Sequence, residues 1–430
     1  MTVIGAREVE AASGAITVAP GDVVTPLARE RAVDLGVQLH FPPTKSATSA
    51  SASASASRST ALSPKAPGGK GRVSGAVRGD VTPVSLKSGP RTVDSVTLNT
   101  LYRRGAPVAT PLAPSLALSP GGGKPRAAVI GAGHVGSIAT LRLAESDLFT
   151  EVVLVDVVDG LAAGVALDLW HSAGLASFGT TITGTTSMSD LSGVDYVIVT
   201  AGKARKPGMT RTDLTQVNAE IVGPIADAIA AHAPQSVIVV VTNPLEEMTH
   251  LAQLRSKFPP SRVLGMAGVL DSARFAALVG LTGICRPDEV LAYALGSHGP
   301  EMVIPLSQAT ALGRPLTELL DYDTLRAITD RARDSGAEVV SLLKTGSAYF
   351  APGQSAARMV TAMASSSSEI MPCAVVPDGE YGLRDTRVGL PVRLGPGGLA
   401  EIVMLELDAE EQAALHTAAD SLGKRIREVS

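Results

Sequence analysis

Residues 126–136 read Arg-Ala-Ala-Val-Ile-Gly-Ala-Gly-His-Val-Gly, a short apolar run followed by glycines in the spacing Gly-x-Gly-x-x-Gly. The apolar run predicts a buried strand, and residues 135–144 predict the helix that follows it. Gly131, Gly133 and Gly136 allow a tight turn, close approach of a pyrophosphate to the backbone, and close packing of the helix on the strand. The stretch therefore predicts the first strand, turn and helix of a dinucleotide-binding fold.

The same alternation continues toward the C-terminus. Further strands are predicted at residues 152–155, 196–199 and 237–241, and helices at residues 160–171 and 211–232. Continuous apolar strands separated by helices indicate a parallel sheet that is covered on both faces. We therefore predict an α/β fold with a Rossmann-type doubly wound parallel sheet.

The second half of the chain has a mixed pattern. Its predicted elements are a strand near 291–295, helices near 323–343 and 349–364, strands near 371–376, 388–394 and 400–406, and a final helix from Ala409. This order is typical of an α+β domain. We place the dinucleotide-binding domain at residues 126–270 and a catalytic, substrate-binding domain at residues 271–430.

The first 125 residues differ in charge and composition. They carry 14 Lys and Arg against 7 Asp and Glu, whereas residues 126–430 carry 23 against 34. Residues 44–125 form a linker rich in Ser, Ala, Pro and Gly, which buries too little apolar surface to offset the entropy of ordering. We therefore predict an N-terminal arm that is mostly disordered.

Residues 1–43 form a small patterned segment ahead of this linker. Strands are predicted at residues 15–19 and 37–41, around a helix at residues 27–35 that ends at Gly36. A unit this small buries little apolar area by itself. We therefore expect it to need a partner surface, which makes it a candidate docking module.

Global features exclude several classes of protein. A formal net charge of -4 does not indicate a nucleic acid or membrane partner. Cys285 and Cys373 lack the spacing of a zinc site or a disulfide scaffold, so a reduced, cytoplasmic compartment and no metal are expected. Neither a secretory signal nor a membrane-spanning segment is predicted.

Asp156 ends the second predicted strand, 20 residues after Gly136. A carboxylate at this position is expected to bind the adenosine ribose hydroxyls and to repel a 2′-phosphate, which favours NAD over NADP. The alternative is a Gly-rich turn with an aspartate that caps a helix.

Residues 204–211 follow the strand at 196–199 and contain three cations around a Pro-Gly pair: Arg205, Lys206 and Arg211. This pattern predicts a mobile lid that brings guanidinium groups to an anion. The alternative is a solvated basic loop.

Polar residues also follow later strands, at Asn243, at Asp271 and Arg274, and at His298, one of seven histidines. Reduction of a 2-oxoacid needs a group that binds the carboxylate, a carbonyl polariser, a proton donor with a pKa near neutrality, and a residue that orients the donor. The ordered series supplies a residue type for each of these tasks.

Together these motifs resemble the lactate/malate dehydrogenase family, in particular its lactate-dehydrogenase-like malate branch, over residues 126–428. The motifs that carry the resemblance are Gly131-x-Gly133-x-x-Gly136, Arg205-Lys-Pro-Gly-Met-Thr-Arg211, Thr242-Asn243-Pro244, Gly268-Val-Leu-Asp271-Ser-Ala-Arg274, His298-Gly299, Lys344-Thr-Gly-Ser-Ala-Tyr349 and Gly389-Leu-Pro-Val-Arg-Leu-Gly395.

The resemblance implies a role for each polar residue. His298 exchanges a proton with the substrate oxygen while NAD carries the hydride, and Asp271 orients the imidazole. Arg274 binds the C1 carboxylate, Arg211 polarises the carbonyl when the lid closes, and Asn243 holds the substrate oxygen or the His298 side of the site.

The resemblance also implies an NAD site and an oligomer. The implied cofactor-binding residues are Gly131, Gly133, Gly136, Asp156, Asn218 and Thr242. The implied assembly is a homodimer or a homotetramer.

Arg205 determines the expected substrate. Malate enzymes of the family carry an arginine at this position and lactate enzymes typically carry glutamine, so a small dicarboxylate, malate or oxaloacetate, is expected. The alternative is a lactate or other 2-hydroxyacid dehydrogenase in which Arg205 is exposed and unused. One departure is Pro300, since the family usually has aspartate after His-Gly, and proline restricts the backbone beside His298.

The segment from Gly21 to Val37 resembles short segments of bacterial microcompartment proteins. One interpretation is a cargo enzyme that recycles NAD, with residues 1–43 or 92–104 docking to a shell or cargo partner. The other is a tail without function on an enzyme that is free in the cytoplasm.

Overall fold

The computed structural model describes residues 123–204, 209–299, 301–344 and 346–429, together with parts of the N-terminal segment. Those parts are residues 3–4, 9, 11–12, 14–19, 23–24, 28, 32–33 and 35–40. The predictions for the linker, for residues 92–104, for Arg205 and for Pro300 lie outside the described residues. The chain divides into two compact units, Met1–Gly89 and Pro90–Ser430.

The N-terminal unit contains two short parallel pairs of strands. They are β1 (Val3–Ile4) with β3 (Val23–Val24), and β2 (Ala15–Thr17) with β4 (Gln38–His40). The two strands predicted here correspond to β2 and β4. Its small core consists of Ile4, Val9, Val18, Val24, Ala28, Ala32 and Val37.

The second unit is built on a parallel sheet that alternates with helices. Its first six strands are β5 (Arg126–Ile130), β6 (Glu151–Val155), β7 (Thr181–Thr185), β8 (Tyr196–Val199), β9 (Val237–Val240) and β10 (Val263–Gly265). They pair in parallel in the order β7-β6-β5-β8-β9-β10. This is the order 3-2-1-4-5-6 of the Rossmann fold, as predicted.

The second unit contains ten α-helices among its described residues. They are α1 (His134–Glu145), α2 (Leu161–His171), α3 (Ala173–Ala176), α4 (Arg211–His232), α5 (Leu245–Ser256), α6 (Gly268–Gly280), α7 (Leu316–Leu319), α8 (Tyr322–Leu343), α9 (Phe350–Ala364) and α10 (Ala409–Arg427). Alternate residues of β5 enter different cores: Ala127 and Val129 pack with α1 and α9, whereas Ala128 and Ile130 pack with α4 and α5. A sheet buried on both faces explains why its strands are continuously apolar.

The sheet continues without interruption into the second half of the chain. The later strands are β11 (Val290–Leu291), β12 (Leu295–Gly296), β13 (Met302–Val303), β14 (Thr310–Ala311), β15 (Arg314–Pro315), β16 (Ile370–Val375), β17 (Val388–Gly395) and β18 (Gly398–Ile402). Strand β16 pairs antiparallel with β10 through Ala374 and Gly265, and β17, β12, β13 and β18 extend the sheet. Strands β11, β14 and β15 form a separate small sheet.

Three details differ from the sequence prediction. The strand expected at 291–295 is two short strands in different sheets, β11 and β12. Strand β7 has only Ile182 as a large apolar residue, so its pattern was not recognised. Helix α6 begins at Gly268, three residues before the boundary predicted between the two domains at residue 271. Within the described ranges, no helix is both long enough and apolar enough to cross a membrane.

Candidate active site

Two connected cavities lie at the carboxyl edge of the parallel sheet. A groove of about 840 Å³ runs past Gly131 and Asp156. A second cavity of about 590 Å³ is lined by Asp271 and His298. Both are lined by Thr200, Gly202, Lys203, Ala204, Val135, Ser347 and Ala348. They lie at the carboxyl ends of β5 and β8, from which the chain continues to opposite sides of the sheet, towards β6 and towards β9. Doubly wound sheets bind ligands at this position.

The glycine turn forms one end of the groove. Gly131 has a φ of 109°, and a Cβ there would lie 2.6 Å from Thr200 Oγ1. A Cβ on Gly136 would lie 1.8 Å from the Gly131 carbonyl oxygen. Gly133 immediately precedes α1, so the N-terminus of this helix opens onto the groove. The turn thus requires glycine and offers a diphosphate both close backbone and a helix N-terminus.

Asp156 lies at the end of β6, on the wall of the groove. Its Oδ2 accepts a hydrogen bond from Ala132 N at 2.8 Å, and its Oδ1 accepts one from Val158 N at 2.9 Å. These bonds fix the carboxylate against the glycine turn, on the wall of the groove. The residues present therefore fit NAD.

Two of the residues that the resemblance implies in cofactor binding form hydrogen bonds within the protein. Asn218 is fully buried, and its amide binds the backbone of Lys203 and the carbonyl oxygen of Asn243. It joins the segments after β8 and β9, and its role in cofactor binding stays a prediction. Thr242 lines the second cavity, and its hydroxyl donates to the Ala201 carbonyl at 2.7 Å.

His298 and Asp271 come together in the second cavity from elements 27 residues apart. His298 Nδ1 lies 2.7 Å from Asp271 Oδ2, and Arg274 Nη1 donates to Asp271 Oδ1 at 3.0 Å. Asp271 and Arg274 lie one turn apart on α6, so that both face the histidine. The His298 side chain is 17% exposed, which leaves it accessible from the cavity.

Opposing effects act on the pKa of His298. Burial lowers the pKa, whereas the charge and hydrogen bond of Asp271 and the charge of Glu246 raise it. The net result is a pKa above the ordinary histidine value, because the carboxylates outweigh the desolvation. His298 therefore binds a proton more tightly than an unperturbed histidine does.

Arg211, Asn243 and Arg274 also line this cavity. Arg211 is the first residue of α4, behind a capping box formed by Thr210 and Asp213. Residues 205–208, which include Arg205, lie outside the described residues. The chain enters them at Ala204, on the cavity wall.

Three charged residues beside the site were missed by the sequence analysis. Glu246 and Glu247 begin α5, and both are buried. Glu246 Oε1 accepts the backbone N–H of His298 at 2.6 Å, and burial raises the pKa of this carboxyl. Arg425 of α10 approaches Glu247 to 3.6 Å. The available signal is a pair of carboxylates one residue after Asn243-Pro244, but acidic residues are common in a first helical turn.

In the described parts of the chain, no group of three or more His, Cys, Asp and Glu side chains is arranged to hold a metal ion.

Models of two domain families match the chain. The lactate/malate dehydrogenase NAD-binding domain matches residues 125–265, and the lactate/malate dehydrogenase alpha/beta C-terminal domain matches residues 268–430.

Individual relatives cover the same region. A protein of Chloroherpeton thalassium named malate dehydrogenase is 45% identical over 302 residues, which are 70% of this chain and 97% of the relative. The malate dehydrogenase structure from Salinibacter ruber is 39% identical, has a TM-score of 0.68, and aligns over 71% of this chain and 97% of its own. The Cryptosporidium parvum lactate dehydrogenase structure with lactic acid and nicotinamide adenine dinucleotide is 31% identical, with a TM-score of 0.68 over 71% and 98%.

Proposed function

The chain belongs to the lactate/malate dehydrogenase family and uses NAD, and from this premise we propose that it interconverts (S)-malate and oxaloacetate. Identity of 45% to a malate dehydrogenase supports the choice of substrate, as does the arginine at position 205. A second guanidinium can pair with the distal carboxylate of a dicarboxylate. A pyruvate methyl group would leave the same cation buried and unpaired, which costs on the order of several kcal/mol.

The observation that carries the proposed mechanism is the contact between His298 and Asp271. NAD, held by the glycine turn and Asp156, would supply the hydride acceptor for C2 of malate, and NADH would supply the hydride for oxaloacetate. In oxidation, His298 Nε2 takes the proton of the C2 hydroxyl, because Nδ1 is occupied by Asp271. In reduction, the same nitrogen returns the proton to the keto oxygen. Asp271 holds the tautomer and stabilises the imidazolium form.

The remaining groups bind the substrate. Arg274 binds the C1 carboxylate while one of its nitrogens stays on Asp271. Arg211 polarises the keto oxygen, and Asn243 hydrogen-bonds the substrate oxygen. Ala348 leaves room beside them, since its side chain is small.

The test is steady-state NADH oxidation by the purified chain with oxaloacetate and with pyruvate. We expect kcat/KM for oxaloacetate to exceed that for pyruvate by at least about 100-fold, the discrimination that an unpaired buried charge provides. Equal values, or a preference for pyruvate, would favour the lactate alternative instead.

The raised pKa of His298 predicts opposite pH profiles for the two directions. Oxaloacetate reduction needs protonated His298, so its kcat/KM should fall as pH rises through a pKa above the ordinary value of about 6.5. Malate oxidation needs the neutral imidazole, so its kcat/KM should rise through the same pKa. Asp271→Asn removes the main interaction that raises the pKa, and both midpoints should move to lower pH. Midpoints that stay in place would contradict this account.

We also propose that the enzyme is a homodimer or homotetramer. Helix α2 leaves Leu161, Leu167 and Trp170 exposed in the single chain, and a second copy would cover this apolar surface. Analytical ultracentrifugation of the purified chain tests this, because a monomer at assay concentration would refute it.

We further propose a cytoplasmic enzyme enclosed in a bacterial microcompartment, with the N-terminal segment docking to a shell or cargo partner. The segment forms a small core of its own, which supports a distinct module. Residues 1–110 fused to a fluorescent protein should give puncta in cells with assembled shells. Diffuse fluorescence there, equal to that of the unfused fluorescent protein, would leave the enzyme free in the cytoplasm.

A further inference from the structure

We propose that Glu247 is a positioning residue that holds the guanidinium of Arg211 at the edge of the substrate cavity, with Arg425 balancing its charge. This inference rests on the proposed role of Arg211 at the substrate keto oxygen. It assigns a task to a buried carboxylate that the mechanism above does not use.

The contact between the two residues is direct. Arg211 Nε and Nη2 donate to Glu247 Oε1 at 3.2 and 2.9 Å. The Glu247 side chain is only 3% exposed, whereas that of Arg211 is 42% exposed. Arg211 Nη1 donates no hydrogen bond to any described residue, and Arg211 lines the same cavity as His298. One edge of the guanidinium is therefore held, and the other is available to a substrate oxygen.

A held guanidinium matters because arginine has a long and flexible side chain. Arg211 is the last residue of the predicted lid, residues 204–211, and a free side chain there would lose rotamer entropy on each encounter with substrate. The buried carboxylate of Glu247 orders the Arg211 side chain when the protein folds, so this entropy is not lost again when substrate binds. The polarising group is then preorganised when the substrate arrives.

A carboxylate buried this deeply needs more than one cation. Arg425, from α10, places Nε 3.6 Å from the same Glu247 oxygen. Its Nη1 binds Glu301 at 3.0 Å and its Nη2 binds Ser297 at 3.2 Å. Glu301 and Ser297 lie on either side of His298 in the sequence, so this network links the position of Arg211 to the loop that carries the proton donor.

The two consecutive carboxylates in the first turn of α5 thus bind two different groups of the site. Glu246 binds the backbone of His298, and Glu247 binds the side chain of Arg211. The second oxygen of each carboxylate is buried without a hydrogen-bond partner among the described residues. A buried carboxylate oxygen without a hydrogen-bond partner is energetically unfavourable. Two of them in neighbouring residues are expected where a functional site, and not the fold alone, requires them.

The test is a double-mutant cycle. Glu247→Gln should lower kcat for oxaloacetate reduction about tenfold and change KM less than threefold, because the lost interaction acts on the transition state. In an Arg211→Gln background, the same substitution should change kcat less than about twofold, because its target is gone. The matched control is Glu401→Gln, which breaks an exposed Arg–Glu ion pair between Arg393 and Glu401 on strands β17 and β18 and should leave both constants unchanged.

Unchanged or raised kcat for Glu247→Gln would overturn the proposal, as would the same loss in both backgrounds, which would indicate a purely structural ion pair. If Glu247→Gln does not fold, Glu247→Asp keeps the charge beside Arg425 and withdraws the carboxylate from Arg211 by one methylene. A kcat equal to that of the unmodified chain would then refute positioning. The same double-mutant cycle can be measured with pyruvate, because both substrates have a keto oxygen. A wrong substrate assignment is therefore distinguished from a wrong role for Glu247.

Discussion

Replacing His298 with asparagine should reduce kcat for oxaloacetate reduction by about 10³- to 10⁴-fold, the range expected when an oriented proton donor is lost. Asparagine keeps a polar side chain but cannot exchange a proton near neutral pH. The affinity for NADH should stay within about twofold of the original, since His298 lines the substrate cavity and not the dinucleotide groove. Steady-state kinetics and titration of NADH fluorescence measure the two quantities.

The matched control is His232→Asn, at the exposed end of α4, which should retain full activity. A loss smaller than tenfold for His298→Asn would assign the proton transfer to another group. Loss of NADH binding in parallel would instead indicate that the variant has not folded.

Replacing Arg205 with glutamine should change substrate preference by two or more orders of magnitude. The kcat/KM for oxaloacetate should fall about 100-fold or more, because the distal carboxylate loses its charged partner, and each factor of ten corresponds to about 1.4 kcal/mol. The value for pyruvate should rise, since the methyl group no longer faces a buried cation. Initial rates with both substrates, at equal NADH, measure the ratio.

Lys206→Gln is the matched control, because it removes a positive charge from the adjacent residue of the same segment. It should change the oxaloacetate-to-pyruvate ratio less than about threefold, the effect of a general loss of positive charge. If both variants change the ratio equally, the preference reflects the charge of the segment and not Arg205 itself.

The parts of the molecule that could be predicted from sequence are those that depend on local rules. The glycine turn is one, because Gly136 without a Cβ is a requirement of the turn itself. The helix at Arg211–His232 is another, since its capping residues and apolar periodicity are contiguous. The motif order also placed His298 and Asp271 in one site, where their side chains lie within hydrogen-bond distance.

The parts that could not be predicted depend on contacts between distant segments. Arg425 forms an ion pair with Glu301, which lies 124 residues away in the sequence, and no local sequence pattern predicts such a contact. Asn218 likewise joins the segments after two different strands through its amide, a contact that its place in the sequence does not indicate. Strand β7 has a weak apolar pattern of its own and is defined by its pairing with β6.

The hydrogen-bonded junction between β10 and β16 makes the two halves of the enzyme one structural body. The two family models divide at residues 265–268, yet a chain exchanged at that point would have to reproduce the register of Gly265 against Ala374. The cofactor half and the substrate half are therefore not interchangeable modules. A change of 2-hydroxyacid substrate can therefore arise by substitutions in a short segment such as residues 204–211, whereas the shared sheet restricts larger exchanges.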